Sequence, residues 1–227
     1  MRKTILFTLP LALGLGLIAP LGAQAATETT AELVAVLQSD APLQEKALAC
    51  RKLGEFGSPE AVPALASLLQ DEVLGTYARQ GLERIPDPSA AAALRAALSA
   101  TEGSLRVGVI TSLGALRDDR AVEALSALVG DEDAAVSRAA LLALGRVATP
   151  GAIRVVTKAL APAREGAASA ALVAAERLVA QGQKDAAIDL YDTVRHADVS
   201  SAARLGATRG AIVTRGSVPF LMEQLDS

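Results

Sequence analysis

The densest set of chemically able side chains in this 227-residue sequence is Asp185, Asp189, Asp192 and His196, spaced four, three and four residues apart. On a helix these positions share one face, so three carboxylates and an imidazole would be offered to a cation. The same spacing equally makes a solvated helix face, with Lys184 and Arg195 alongside and Asp192 one turn from His196. Neighbours on a single helix seldom enclose a metal without ligands from another element, and we expect no metal site. The other candidate is Cys50, the only cysteine, set between Ala49 and Arg51. A nucleophilic thiol needs an activating base, and the only histidine is far along the chain at position 196. The expected role of Cys50 is therefore that of a small buried apolar residue. No G-x-S-x-G, H-E-x-x-H or C-x-x-C-H segment occurs, so serine hydrolysis, zincin chemistry and covalent haem attachment lack a local signature. Gly103 and Gly108, around Arg106, follow no strand that could present a phosphate loop. No catalytic residue and no cofactor are expected.

Composition narrows the classes further. The formal net charge is -3, and aromatic residues make up 2% of the chain with no Trp. Neither a basic field nor a stacking platform is offered to nucleic acid. One Cys cannot close an internal disulfide, and one His with one Cys cannot build a structural zinc site. The hydrophobic fraction of 51% is ample for a buried core.

The first residues read as an address and not as fold. Arg2 and Lys3 precede an apolar run from Ile5 to Leu21, and Ala23-Gln24-Ala25 follows. A charged start, an apolar middle and an A-x-A end form a secretory signal peptide over residues 1–25, with Ala23 and Ala25 at the cleavage site. An uncleaved anchor is the alternative, since the run approaches the roughly 20 residues of a membrane span. Pro10, Pro20 and the A-x-A favour cleavage. The product is then exported to a bacterial periplasm or secreted, and free of the membrane. Residues 26–30 are polar and read as a flexible start.

What must position any surface is a repeat. Leu53, Leu82, Leu113, Leu144 and Leu178 are spaced 29, 31, 31 and 34 apart. Five positions after each stand Ser58, Asp87, Asp118, Thr149 and Gln183, followed by Pro59, Pro88, Asp119, Pro150 and Lys184. Twelve positions on are Leu65, Leu94, Leu125, Val156 and Leu190. An oxygen acceptor followed by Pro is an N-cap and first helical position, and the apolar spacing of three and four is one helix face. Ahead of each leucine runs another helical stretch: 42–54, 72–84, 104–116, 134–147 and 167–180. Each unit is thus two antiparallel helices of about 12 residues, and residues 31–227 make an all-α solenoid of about six helix pairs. Alanine lets the helices approach closely but leaves each pair little apolar area of its own, so stability must come from stacking.

The segment Asp131-Glu132-Asp133-Ala134-Ala135-Val136-Ser137-Arg138, with Ala143-Leu144-Gly145 and Thr149-Pro150, resembles the HEAT-repeat family, in the bacterial subtype also found in phycobilin lyases. Leu113-Gly114 with Asp118-Asp119-Arg120, and Leu53-Gly54 with Ser58-Pro59-Glu60, repeat the pattern. The resemblance covers about residues 31–227 and loosens after Ala163, where Gln183-Lys184 replaces the cap-proline pair. It implies a helical scaffold for protein contacts. A lyase activity is implied by analogy alone, and the export signal opposes it.

In such stacks the second helices normally line the concave face. Ten and fourteen positions after the register leucines, the residues expected to face outward there are Pro63, Ala92, Glu123, Arg154 and Ile188, then Ser67, Ala96, Ala127, Lys158 and Asp192. Glu123, Arg154, Lys158, Asp192 and Arg195 make the later half a mixed-charge surface suited to a protein partner. The same charges also serve solubility. Near the end, Val218-Pro219-Phe220-Leu221 echoes Val62-Pro63-Ala64-Leu65, after a helix expected around residues 202–213. An array ending on an ordinary repeat leaves an apolar face for further chain or for docking. Two readings lead: an exported non-catalytic scaffold, or the repeat portion of a larger exported protein. The register itself is testable by melting: Leu144→Asp should cost more than about 3 kcal/mol, and Lys158→Ala less than about 0.5.

Overall fold

The computed structural model describes residues 28–216, and its regular elements are helical. In chain order the first six helices are α1 (Thr30–Gln38), α2 (Leu43–Phe56), α3 (Val62–Ala66), α4 (Leu74–Arg84), α5 (Pro88–Ala97) and α6 (Gly103–Leu116). They are followed by α7 (Val122–Ala127), α8 (Ala134–Val147), α9 (Pro150–Leu160), α10 (Ala167–Ala180), α11 (Lys184–His196) and α12 (Ser201–Arg215). Helices α2 to α11 form five successive pairs, with α1 packed on α2 and α12 packed on α11. Each first helix lies against the first helix of the next pair, which is the all-α solenoid expected from the register. The signal segment, including Ala23 and Ala25, and Val218-Pro219-Phe220-Leu221 lie outside the described residues.

The caps explain where the helices start. Asp87 accepts from the Ser89 amide at 2.8 Å, and Thr149 from the Ala152 amide at 3.3 Å, each just ahead of a first-position proline. The Ser89 hydroxyl and then its amide hold the Asp87 carboxyl below its ordinary range. Ser58 departs from this pattern: its hydroxyl donates to the Glu60 carboxylate, and Pro59–Ala61 is a three-ten turn. Of the residues 26–30 expected to be a flexible start, 28–30 are described, and they are held in place. Thr29 and Glu32 form a reciprocal capping box that opens α1, and Glu28 is ion-paired with Lys52. The T-x-x-E signal was in the sequence.

Second helices are less regular than a uniform 12 residues. Helix α3 has 5 residues and α7 has 6, flanked by three-ten turns at Pro59–Ala61, Asp119–Ala121 and Leu128–Gly130. Pro63 removes a donor from the first turn of α3, and the Ser126 hydroxyl bonds back to the Val122 carbonyl in α7. Short as they are, they keep their apolar face in the core.

All five register leucines are buried, as are Leu65, Leu94, Leu125, Val156 and Leu190 from the facing helices. Each such side chain contributes about 1.5–3 kcal/mol once the next unit covers it. What lets the units come that close is the absence of bulk on the first helices. A Cβ on Gly54 would lie 2.8 Å from the Gly81 Cα, one on Gly114 2.8 Å from the Ala143 Cα, and one on Gly145 2.4 Å from the Ala170 carbonyl oxygen. Between α4 and α6 the seam is polar instead. Arg79 donates to Glu83 at 3.4 Å and to buried Ser112 at 3.3 Å, and the Ser112 hydroxyl lies 2.5 Å from Glu83. Helix ends α2, α6 and α8 turn through the left-handed region at Gly57, Arg117 and Ala148, each four residues after its leucine.

Further arginines tie one unit to the next: Arg95 to Asp118, Arg106 to Asp131 at 3.8 Å, and Arg138 to Glu165 at 2.6 Å. The glycine seam makes a direct prediction. Gly145→Ala forces backbone apart and should cost about 1–3 kcal/mol in a denaturant melt. Gly206→Ala, whose Cβ would meet only a Leu172 methyl at 3.4 Å, should be neutral or stabilising by up to about 1 kcal/mol.

Candidate functional site

The acidic face of α11 is divided, not convergent. Asp185 and Asp189 point to solvent. The Asp192 carboxylate accepts from Arg195 at 2.8 Å on its own helix and from Arg215 across the junction with α12. His196 Nδ1 lies 2.7 Å from the Asp192 main-chain oxygen, so the carboxylate does not support the imidazole. Among the described residues no group of three or more His, Cys, Asp or Glu side chains could hold a metal ion.

That geometry places two members of the docking set expected on the second helices in a helix junction. Asp192 and Arg195 are half-buried and bound into the clasp between α11 and α12. The Asp192 partner Arg215 lies 23 residues away, a pairing that helical spacing alone does not reveal. Ile188 is also half-buried. The remaining outward positions behave as the register requires: Pro63, Ala92, Glu123, Arg154, Ser67, Ala96, Ala127 and Lys158 are all exposed. Glu123, Arg154 and Lys158 enter none of the ion pairs among the described residues. Lys158 stands at the edge of a cavity of about 520 Å³ whose apolar walls include Val129, Val155 and Pro162.

A second feature was not visible in the repeat columns. Arg117 caps α6, Arg146 lies in the last turn of α8 and Arg177 in the last turn of α10. These three helix ends share a cavity of about 560 Å³. Cations suit helix C-termini, but the arginines occupy three different positions relative to their leucines. No single column of the repeat announces them.

Comparison with known proteins decides the family. The sequence matches the HEAT-repeat family over residues 30–106 and 91–176. The chain belongs to the HEAT-repeat family. Among solved structures, it is similar to a chain in the complex of CpcE and CpcF of phycocyanin lyase from Nostoc sp. PCC7120. That likeness has 21% identity, a TM-score of 0.52, and coverage of 88% of this chain and 97% of that one. An engineered protein is similar at 19% identity and a TM-score of 0.48, over 82% of this chain and 96% of that one. No curated protein gives a significant match. At 21% identity the likeness to the phycocyanin-lyase chain bears on fold alone. The helical array also runs beyond the matched sequence, with α11 packed on α10 and α12 packed chiefly on α11.

Cys50 lies in the HEAT core and is fully buried on α2, its carbonyl oxygen 2.9 Å from where a Cβ on Gly81 would be. Burial pushes its thiol up from 9.0 to about 11, away from nucleophilic reactivity at neutral pH. The fold favours the protonated thiol. Its contribution to stability is therefore complete below pH 9.0 and is lost as pH rises toward about 11. Alkylation with iodoacetamide should be negligible in the folded protein at pH 8 and rapid in urea. Equal rates in the two states would contradict the burial.

Proposed function

We propose that this chain is an exported, non-catalytic HEAT-repeat scaffold that holds a protein partner against the outward face of its second helices. The observation that carries this reading is the pair Arg154 and Lys158, one turn apart on α9, exposed and outside every ion pair among the described residues. Glu123 of α7 gives the same face an opposite charge, and the cavity beside Lys158 supplies apolar surface. Mixed charge around an apolar recess suits a polypeptide, because charge sets orientation while burial holds it. The CpcE–CpcF neighbour is itself part of a complex between two proteins, which is the use of the fold proposed here.

Export rests on Arg2-Lys3, the apolar run and Ala23-Gln24-Ala25. Among the described residues no helix is long and apolar enough to cross a membrane. Leu205 and Val213 on α12, each 71% exposed, favour a second reading in which this array is the repeat portion of a larger exported protein. The lyase alternative has only the family analogy behind it.

Expressed in a bacterium, the protein should be found in the periplasmic fraction beginning at Ala26, which intact mass reads directly; retention in the cytoplasm with the leader attached would overturn the export reading. A photo-crosslinking residue in place of Glu123 should capture one partner band. Arg154→Glu/Lys158→Glu should reduce that capture by about tenfold, the effect of about 1.4 kcal/mol of reversed charge contacts. Unchanged capture would remove this face from the function.

A further inference from the structure

We propose that the cleft at the C-terminal ends of α6, α8 and α10 is a second docking site, which takes an acidic, extended peptide segment on Arg117, Arg146 and Arg177. It deepens the reading of the chain as a protein-binding array and uses a different surface from the one argued above.

The arginines elsewhere in the stack set the contrast. Arg79, Arg95, Arg106 and Arg138 each meet a carboxylate. Arg117, Arg146 and Arg177 enter no ion pair and no side-chain hydrogen bond among the described residues, although all three line one cavity of about 560 Å³. Only Glu176 brings a negative charge to that lining, in a protein whose net charge is -3. Arg117 and Arg146 are exposed. Arg177 is half-buried, and its Nε is shielded from solvent without an acceptor. Helix dipoles account for one cation at each helix end. They do not account for three unpaired guanidinium groups along one cleft, nor for a buried donor left unsatisfied at a cost of about 1–3 kcal/mol.

The dimensions select the occupant. Packed helix axes lie about 8–10 Å apart, so α6 to α10 spans about 16–20 Å. A single small anion is too short to reach all three groups. An extended chain advancing about 3.3 Å per residue crosses that width in about five or six residues, with alternate side chains on one face. Carboxylates at alternate positions would meet the three planar guanidinium forks in turn, in the bidentate geometry that arginine favours. Val173 and Ala180 give the intervening backbone an apolar floor.

The test uses the mature chain and a fluorescent seven-residue peptide of alternating Glu and Ser, with a Gln/Ser peptide as control, read by anisotropy. The Glu peptide should bind and weaken by about tenfold or more between about 50 and 500 mM salt, while the Gln peptide should not bind. Arg117→Gln/Arg146→Gln/Arg177→Gln should lower affinity by about tenfold or more at an unchanged helical melt. Should that variant fold poorly, solvent-exposed Arg146→Gln alone should weaken binding about threefold. Arg154→Glu/Lys158→Glu should leave the peptide bound as before, so loss of the second-helix face and loss of this site are separable. Equal binding by the arginine variants would overturn the proposal. So would full displacement of the peptide by millimolar inorganic phosphate, which would mark a small-anion site.

Discussion

The close approach of successive first helices is the constraint on which this molecule depends. Gly54 rests on Gly81, Gly114 on Ala143 and Gly145 on Ala170, each at a separation that a larger side chain would forbid. Only at that separation do Leu53, Leu113 and Leu144 lose contact with water. The hydrophobic gain of each unit is thus conditional on its neighbour. An isolated pair rich in alanine would have little to bury, and the array is stable as a sum of shared interfaces.

That dependence explains why the repeat was legible and the surfaces were only partly so. Register leucines and cap residues obey local rules, so Leu113 or Thr149 can be placed from sequence with no knowledge of its neighbours. The Asp192–Arg215 clasp cannot, because it joins residues on different helices whose relative rotation is set by packing. Ser58 followed the cap pattern in sequence, yet its hydroxyl found Glu60 two residues on, a competition between side chain and backbone that composition does not rank. The family match ends at residue 176 while the helical stack goes on. Burial of Leu178, Leu190 and Val194 there shows that the apolar columns matter more to the fold than the cap-proline signature.

The charged surface divides along the same line. Arginines that face an adjacent unit are consumed in holding it, as Arg95 and Arg138 are. Those at the C-terminal ends of α6, α8 and α10, and those on the outward face of α9, are not. A repeat scaffold acquires binding specificity in this way, by departures from its own columns, since positions required for stacking are not free to vary. The left-handed turn residue shows the point: Gly57 in one unit is Arg117 in another, where a charged side chain stands at the edge of a cavity.

The polar seam between α4 and α6 has a different consequence. Units built from similar leucines and alanines could pair with the wrong neighbour, or slide by a turn, at little cost in buried hydrocarbon. Arg79, Glu83 and Ser112 break that degeneracy. Displacing either helix along the other would break the bonds of Ser112 to Arg79 and Glu83 across the seam, a loss of about 1–3 kcal/mol in all. That junction therefore carries a polar contact that the apolar columns do not supply and that holds α4 and α6 in one register.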